Sequence, residues 1–519
     1  MPLACSRLII AVLTLLTPPA AWAATLIHSG NIQGELEPCG CRENPLGGLV
    51  RRAEWLERNQ SQGPFLQVDA GDLLFASLPI DPDLKPQAEI QAEALLRILK
   101  LQGLNAVTPG EKDFALGEAT FQKLTKKSGI AFLAANLHVR HKDKLLLPAS
   151  KIFSLPERGG KTVQTAVIGV VSPQLKWPDS LRVSPALPAI QAEMKRLRKK
   201  AGQFLILSHL EPEEASLLAK QLPGVKWIVN AHSTSASEES TAVPSGPDLS
   251  GPWILQASYR NRHLGVWADP TGHRNIPLSP DWERPIPDGA LTQPTFLAIQ
   301  SFKNQLALLQ TQAPRWTSVK PSPKTHTVQT FVRCFNCHEA QTRFWQNTPH
   351  ARAYEALHAR GQAFNRECLT CHSVGLGVRG AFEKPTEPGR LRPSQGTEPE
   401  QDGKWAAEDI RNFFRELTAA LPEETPGVRL RRQSPPLPEA QALARVDRLY
   451  ASVQCENCHG PAGDHPFGAA GALIRPSTST CLKCHTPEQA PQWYKADGKP
   501  DAERLAAQVK AMSCPASSH

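Results

Sequence analysis

Four copies of the pattern Cys-x-x-Cys-His restrict the folds open to this chain more than any other feature of its sequence. The copies are CFNCH at 334–338, CLTCH at 368–372, CENCH at 455–459 and CLKCH at 481–485. They contain eight of the twelve cysteines, and the sequence has no other internal repeat of fixed period. Any fold of the C-terminal part therefore has to place four pairs of thiols, each beside an imidazole.

This pattern is the attachment signature of c-type haem. Two thiols add across the two vinyl groups of the porphyrin, the two intervening residues place both sulfurs on one turn, and the adjacent histidine lies under the iron. The sequence therefore predicts four covalent haems. The attachment residues are Cys334, Cys337, Cys368, Cys371, Cys455, Cys458, Cys481 and Cys484, and the proximal iron ligands are His338, His372, His459 and His485.

Three other uses of cysteine fit the pattern less well. Exported proteins mostly use cysteine in disulfides, but here each of the four C-x-x-C pairs is followed at once by histidine. Zinc ribbons pair two C-x-x-C units without needing a histidine after each. Redox C-x-x-C motifs favour a βαβ context, which these units lack. Covalent haem is therefore the prediction.

The other histidines of the C-terminal part are candidates for the sixth ligand of each iron. Met512 is the only methionine beyond residue 320, so the sequence favours two histidines per iron and low reduction potentials. The distal candidates are His350, His465, His326 and His358.

Two of these candidates have a favourable context. His350 lies in the first turn of a predicted short helix, because Thr348 is a suitable N-cap, Pro349 suits the first helical position and Gly361 suits the end. His465 follows the third unit in a Gly-Pro loop that would let the chain fold back towards a haem.

The order and spacing of these segments resemble a known family. CHEAQTRFWQNTPHARAYEAL, CLTCHSVG, VQCENCHGPAGDH and a closing CLKCH look like the tetrahaem cytochrome c-554 family over about residues 326–490. The resemblance implies a mainly helical domain in which closely packed haems form an electron wire, and it favours His350 and His465 as distal ligands. One family haem lacks a sixth protein ligand. The long insertion at about 383–437 departs from the compact family pattern.

The first residues indicate an exported protein, and the distribution of charge argues against a nucleic-acid partner. RLIIAVLTLLTPPAAWA combines a positive start, a short apolar run and a small-x-small cleavage site, so residues 1–23 are predicted to be a signal peptide. No internal apolar run is long enough to span a bilayer. The net charge of +9 is not gathered in a stripe with aromatics, which argues against nucleic acid, and haem propionates offset part of it.

The chain divides into two parts of different texture. Between about 24 and 285, apolar runs such as KTVQTAVIGVV and GQFLILSHL alternate with amphipathic stretches that end at glycine, which predicts an α/β domain. Residues 286–325 read as a helix and a Pro-rich linker. The fold class predicted for the whole chain is an α/β sandwich followed by a mainly α domain at 326–519, with one helix near AAEDIRNFFREL inside the insertion.

Five segments of the N-terminal part occur in the order GNIQGEL, DAGDLLF, TPGEKDFALG, LILSHL and VNAHSTS. Their order resembles that of the motifs of calcineurin-like metallophosphoesterases, especially the 5'-nucleotidase branch. The resemblance implies a fold in which successive strand ends hold two metal ions that activate a water for attack on phosphorus.

Residue by residue, the implied metal site is depleted. Asn31 and Gln33 stand where the resemblance implies Asp and His, and Glu111 and Lys112 replace Asn and His. Thr234 stands where the last ligand is often His. The residues that fit are Asp72, His209 and His232. The sequence therefore favours a lost two-metal site over an active one, with a single metal ion on those three residues as the alternative.

Cys39 and Cys41 are the only paired cysteines outside the four units. A disulfide between them would be strained, so the pair is predicted to be a thiol site that binds a metal or pairs elsewhere. Two ordinary structural cysteines are the alternative.

We expect an exported, periplasmic multihaem c-type cytochrome that transfers electrons between a protein donor and a protein acceptor, beside a degenerate metallophosphoesterase-like domain. It would carry four covalent haems and, as an option, one further divalent metal ion in the N-terminal domain. Two alternatives stay open. One is a haem enzyme acting on a small nitrogen or sulfur compound, and the other is an active periplasmic phosphohydrolase or nucleotidase with accessory haems.

Overall fold

The structure is a computed structural model of the chain. It describes residues 23–38, 46–60, 63–157, 159–232, 241–244, 251–279, 289–312, 328–334, 337–363, 365–376, 381–382, 392–393, 446–448, 450–463, 465, 473–487, 489–495 and 498–515. Several predicted features lie outside this set: the signal peptide up to 22, Cys39, Cys41, Thr234, His326, the side chain of His358, and the insertion at 383–437 apart from 392–393.

The N-terminal half alternates strands and helices as the sequence predicts. Its strands are β1 Thr25–Ser29, β2 Phe65–Asp69, β3 Leu104–Val107, β4 Ala131–Phe132, β5 Leu137–Val139, β6 Lys144–Leu145, β7 Ser150–Pro156, β8 Thr162–Val171, β9 Leu181–Val183, β10 Gln203–His209, β11 Val225–Ala231, β12 Thr241–Pro244, β13 Trp253–Gln256, β14 His263–Ala268 and β15 Gly272–Pro277. Its helices are α1 Leu49–Arg58, α2 Lys85–Leu101, α3 Glu118–Ser128, α4 Ala186–Leu197, α5 Pro212–Ala219 and α6 Thr292–Gln312, with 3₁₀ turns at Pro82–Leu84 and Glu111–Phe114.

Two six-stranded sheets form the centre of this half. Their strand orders are β15-β14-β1-β2-β3-β4 and β12-β13-β11-β10-β8-β7, and a small third sheet has the order β6-β5-β9. The inner strands of both large sheets run parallel, and antiparallel strands lie at three of their edges. Parallel strands are buried on both faces, which explains the continuous apolar runs of β8, β10 and β11.

The two large sheets pack face to face, and helices cover their outer faces. One apolar cluster contains Leu66 and Val68 of the first sheet together with Val167 and Leu207 of the second. Helices α4 and α5 pack on the second sheet, and α2, α3 and α6 pack on the first. The layers therefore run helix, sheet, sheet, helix, which confirms the predicted α/β sandwich.

The C-terminal part is mainly helical, as predicted. Its helices are α7 Thr330–Cys334, α8 Glu339–Gln346, α9 Ala353–Ala359, α10 Arg366–His372, α11 Cys455–His459, α12 Thr478–Cys481 and α13 Ala502–Ala511, with 3₁₀ turns at Pro349–Arg352 and Pro491–Trp493 and two short strands, β16 Arg392–Pro393 and β17 Val446–Arg448. No helix in the described part of the chain is long and apolar enough to cross a membrane.

The carboxylate of Glu456, inside the third Cys-x-x-Cys-His unit, fixes the start of α7, which carries the first unit. It accepts hydrogen bonds from the backbone N–H groups of Gln329 at 3.0 Å and Thr330 at 2.8 Å. It also accepts one from the N–H of Ala462 at 2.7 Å, in the loop after its own helix. A carboxylate at a helix N-terminus satisfies N–H groups that otherwise lack partners. The first and third units are thus joined by one side chain.

Neighbouring side chains extend this connection. The amide oxygen of Gln454 accepts a hydrogen bond from the N–H of Phe331 at 2.8 Å. The amide of Asn457 donates to the carbonyl of Ser373 at 3.0 Å, just after the second unit. The variable positions of the third unit therefore hold the first and second units in place.

The C-terminal part contacts the N-terminal half through Lys303 of α6. Its ammonium lies 2.7 Å from the carboxylate of Glu37, in the loop after β1, and donates to the carbonyl of Arg360 at 2.8 Å, just after α9. The Lys303 side chain is only 10% exposed. A buried hydrogen bond between Gln87 of α2 and Asn365, the N-cap of α10, lies nearby at 2.8 Å. The second unit is therefore docked on the N-terminal half.

We predict that Glu456→Ala destabilises the C-terminal part by roughly 3 kcal/mol, because several backbone N–H groups lose a charged acceptor. Glu456→Gln should be intermediate, since its amide keeps one acceptor oxygen. Thermal unfolding followed by circular dichroism, with hydrogen exchange at 329–331, measures the effect. Glu339→Ala is the control, because that carboxylate is 60% exposed and pairs within its own helix. Equal stability of the Glu456 and Glu339 variants would contradict this role.

We predict that Lys303→Ala loosens the contact between the two parts. Hydrogen exchange should accelerate in residues 33–37 and 360–363 while the sheets stay protected, because Glu37 and the Arg360 carbonyl lose their shared donor. A hydrogen bond to a charged group contributes roughly 1–3 kcal/mol. Lys220→Ala, an exposed lysine at the end of α5, is the control. Unchanged exchange in both segments would show that Lys303 does not hold this contact.

Candidate functional site

The four Cys-x-x-Cys-His units lie on or beside short helices. Cys368 and Cys371 both lie on α10, and Cys455 and Cys458 both lie on α11. Residues three apart on a helix share one face, so each pair of thiols can point to the same side. Cys334 ends α7 and Cys481 ends α12, so Cys337 and Cys484 follow in the next turn.

Two of the predicted proximal histidines are oriented by backbone carbonyls. Nδ1 of His372 lies 2.7 Å from the carbonyl oxygen of Ala353, and Nδ1 of His459 lies 3.3 Å from that of Ile474. A carbonyl in this position accepts a hydrogen bond from Nδ1–H and leaves Nε2 with its lone pair free for a metal. This is the tautomer that a proximal haem ligand needs.

The units are arranged in two pairs. The thiols of Cys334 and Cys455 lie close enough that their interaction lowers the pKa of Cys334 and raises that of Cys455, which places the first and third units side by side. The Cys371 thiol likewise raises the pKa of Cys484, which places the second and fourth units side by side. Units that are distant in sequence are therefore neighbours in space.

Two pairs of imidazoles are separated by the distance that one shared metal ion requires. The ring centroids of His338 and His465 are 6.4 Å apart, and those of His350 and His485 are 6.1 Å apart. With metal–nitrogen bonds of about 2 Å, two rings that share one ion have centroids about 6 Å apart. The residues thus fit the iron of a bis-histidine haem. Trp493 stacks on the His485 ring at 4.2 Å.

The predicted setting of His350 is also present. It lies in the 3₁₀ turn Pro349–Arg352, which leads directly into α9, and Gly361 follows with a left-handed φ of 64°. Thr348 occupies the N-cap with an extended backbone, but its hydroxyl donates to the carbonyl of Trp345 and does not cap the turn.

The second candidate site lies where strands of both large sheets end. Asp72, Glu111, His209 and His232 each offer one ligand atom, and these atoms all lie within 4.8 Å of one another. Asp72, His209 and His232 follow or end β2, β10 and β11, and Glu111 follows β3. The sequence prediction named three of these residues together. Glu111 was missed as a ligand because it stands at a position where the resemblance implies an amide.

The electrostatics of this cluster are set by Asp72. Its Oδ2 atom lies 2.5 Å from Nζ of Lys112, and its Oδ1 atom accepts from the Lys112 backbone N–H at 3.2 Å. Burial favours the neutral amine, but the Asp72 carboxylate outweighs it and raises the pKa of Lys112. Burial likewise opposes the charged form of His209, yet Asp72 and Glu111 raise its pKa to about 9.

The loop after β1 has several left-handed residues, and its side chains differ from a metal-binding set. Asn31, Gln33 and Asp72 have left-handed φ values of 51°, 55° and 51°, a conformation that is uncommon outside glycine. The Gln33 amide oxygen accepts a hydrogen bond from the Tyr259 hydroxyl at 3.0 Å, so this oxygen already has a partner within the protein. An intact two-metal centre, as the resemblance implies, does not fit these residues.

The C-terminal part is similar to a known family. Residues 333–392 match the family model described as cytochrome c554 and c-prime. A search of curated proteins gives no match.

Among solved structures, a 5'-nucleotidase precursor from Thermus thermophilus is similar at 19% identity and a TM-score of 0.45, over 56% of this chain and 60% of that one. The sulfate thiohydrolase SoxB of Thermus thermophilus is similar at 18% and 0.45, over 58% and 63%. The calcineurin-like phosphoesterase YfkN of Bacillus subtilis is similar at 16% and 0.43, over 54% and 98%. This chain thus spans about three fifths of the first two proteins. Its N-terminal half matches 5'-nucleotidase and calcineurin-like phosphoesterase folds, and residues 333–392 match the cytochrome c554 family model.

Proposed function

We propose that this chain is an exported multihaem c-type cytochrome that transfers electrons between redox proteins, and that its phosphoesterase-like domain does not hydrolyse phosphate esters. The observation that carries the proposal is the combination of four Cys-x-x-Cys-His units with two imidazole pairs at 6.4 and 6.1 Å. When bound, each haem supplies one-electron chemistry by changing its iron between the ferric and ferrous states.

The residues divide into three roles in this proposal. The eight paired cysteines attach the porphyrins, and His338, His372, His459 and His485 bind the irons on the attachment side. His465 would hold the same iron as His338, because the centroids of the two rings are 6.4 Å apart. His350 would hold the same iron as His485, because their centroids are 6.1 Å apart. His326 and His358 remain candidates for the second and third irons.

The pairing of units favours electron transfer over isolated redox centres. Cysteines of the first and third units, and of the second and fourth units, lie close enough to shift one another's pKa. Asn457 of the third unit also bonds to Ser373, just after the second. Cofactors attached at these positions would lie close together, which suits transfer of electrons along the chain of units.

The remaining parts of the proposal come from the sequence. Residues 1–23 act as a signal peptide, 24–285 form the phosphoesterase-like domain, 286–325 connect the parts and 326–519 carry the haems. Attachment of c-type haem takes place outside the bacterial cytoplasm, which agrees with a periplasmic location. The neutral amides Asn31 and Gln33, and the Lys112–Asp72 ion pair, support loss of the hydrolytic activity.

We predict about four haems per chain by pyridine haemochrome analysis of the exported protein. His350→Ala and His465→Ala should each convert one haem from low-spin to high-spin, because one iron loses its sixth ligand. Electron paramagnetic resonance of the oxidised protein measures the change, and haem content should stay the same. His141→Ala, which removes an exposed imidazole of the N-terminal half, is the control. Fewer than three haems per chain, or spectra unaffected by both substitutions, would overturn the assignment.

We predict no turnover of a phosphodiester such as bis-p-nitrophenyl phosphate with added Mn²⁺, Zn²⁺ or Mg²⁺. The reason is that Lys112 holds Asp72, so two metal ions cannot share this carboxylate. Release of nitrophenolate measures turnover, with the Asp72→Ala variant as the blank. Metal-dependent turnover that disappears in Asp72→Ala would instead establish the hydrolase alternative.

A further inference from the structure

The N-terminal cluster already contains a cation on one side of Asp72. In a two-metal centre both ions lie about 3.5–4 Å apart and share ligands. Here Nζ of Lys112 takes one side of that arrangement, 2.5 Å from Oδ2 of Asp72. Asp72 is fully buried, and Lys112 is the second residue of the 3₁₀ turn that also carries Glu111. The ammonium is therefore held by the fold at this carboxylate.

The other side of Asp72 offers a set of ligand atoms with the separations that one metal ion needs. Nε2 of His209 lies 3.2 Å from Oε2 of Glu111 and 3.6 Å from Oδ1 of Asp72. Nδ1 of His232 lies 3.9 Å from the same Glu111 oxygen. Two atoms that each bind one ion at about 2.1 Å are about 3–4 Å apart. The three distances fall in this range.

Both imidazoles are oriented by an acceptor on the side away from the cluster. Nδ1 of His209 lies 2.8 Å from the carbonyl oxygen of Ala70, and Nε2 of His232 lies 2.9 Å from Oε1 of Glu211. A metal-binding histidine usually donates its second N–H to a carboxylate or carbonyl, which fixes the ring and its tautomer. The remaining nitrogens, Nε2 of His209 and Nδ1 of His232, face Glu111.

The charges in the cluster suit one divalent ion and not two. A metal-binding imidazole is neutral, so in the metal-bound form His209 and His232 add no charge, while Asp72, Glu111 and Glu211 contribute three negative charges and Lys112 contributes one positive charge. The remaining charge of −2 is neutralised by a single divalent cation. A second cation would leave an excess of positive charge beside Asp72 and His209, which are both fully buried, and burying unpaired charge is strongly unfavourable.

We propose that Glu111, His209 and His232 bind one divalent transition-metal ion, and that the Lys112 ammonium takes the place of a second ion at Asp72. Two histidines and one carboxylate are the set that binds mononuclear non-haem iron(II), and imidazole with carboxylate also suits manganese and zinc. The site would be a one-metal site on a two-metal scaffold. This inference does not depend on the proposed electron transfer, because haem content and N-terminal metal are measured separately.

Mn²⁺ titration of the full-length haem-loaded protein tests the proposal. After treatment with chelator, equilibrium dialysis with metal analysis and the electron paramagnetic resonance signal of free Mn²⁺ should show one saturable ion per chain. Glu111→Gln and His232→Ala should weaken binding at least tenfold. The matched controls Glu213→Gln and His141→Ala change exposed residues of the same half and should bind as the parent protein does.

Lys112→Met provides a test that misfolding cannot imitate. It keeps an unbranched side chain that is one heavy atom shorter and removes the ammonium, so Asp72 becomes available as a further ligand. Binding of the first Mn²⁺ should tighten at least tenfold. Two ions in the parent protein, no saturable ion, or parent-like binding by Glu111→Gln would each overturn the proposal, whatever the haem content of the same samples.

Discussion

The Glu456 carboxylate is the interaction on which the arrangement of the Cys-x-x-Cys-His units depends. The described C-terminal residues form an apolar core of only thirteen buried side chains, a small core for a segment with four attachment units. The relative positions of the attachment units therefore depend largely on hydrogen bonds. Glu456 satisfies backbone N–H groups at the start of the first unit's helix and in the loop that leads to His465. It thereby links the start of α7 to the loop that carries the imidazole facing His338.

Much of the fold could be predicted from local pattern, because each element is decided by residues close in sequence. The apolar runs of β8, β10 and β11 and the helix that contains Lys303 are of this kind. The short helical segment that contains His350 could also be predicted, because Pro349 and Gly361 favour particular values of their own backbone angles at its start and end. The pairing of His338 with His465 and of His350 with His485 was not readable. It depends on long-range contacts such as Asn457 with Ser373, and nothing in the local sequence specifies them.

The candidate metal site could also be predicted only in part from the sequence. Comparison with motif positions grouped Asp72, His209 and His232, and the structure brings these residues together because the ends of β2, β10 and β11 meet where the two large sheets face each other. It treated Glu111 and Lys112 only as losses. Their actual roles follow from the 3₁₀ turn after β3, which directs the Glu111 carboxylate to the histidines and the Lys112 ammonium to Asp72. Two differences that look like decay in sequence place, in three dimensions, an ammonium beside Asp72 and a carboxylate beside the two histidines. Because of the Lys112 ammonium, Asp72 is not left as an unpaired buried anion.

The contact between the two halves gives the second attachment unit a special position. Asn365, the N-cap of α10, bonds to Gln87 of the N-terminal half, and Arg366 lies 3.6 Å from Asp81. Lys303 joins the loop of Glu37 to the end of α9, which precedes the same unit. That loop begins at the strand end where Asn31 and Gln33 lie. Among the described residues, these contacts hold the second attachment unit, with Cys368 and Cys371, against the N-terminal half. A movement of the Glu37 loop would therefore act on Lys303 and on the end of α9, just before that unit.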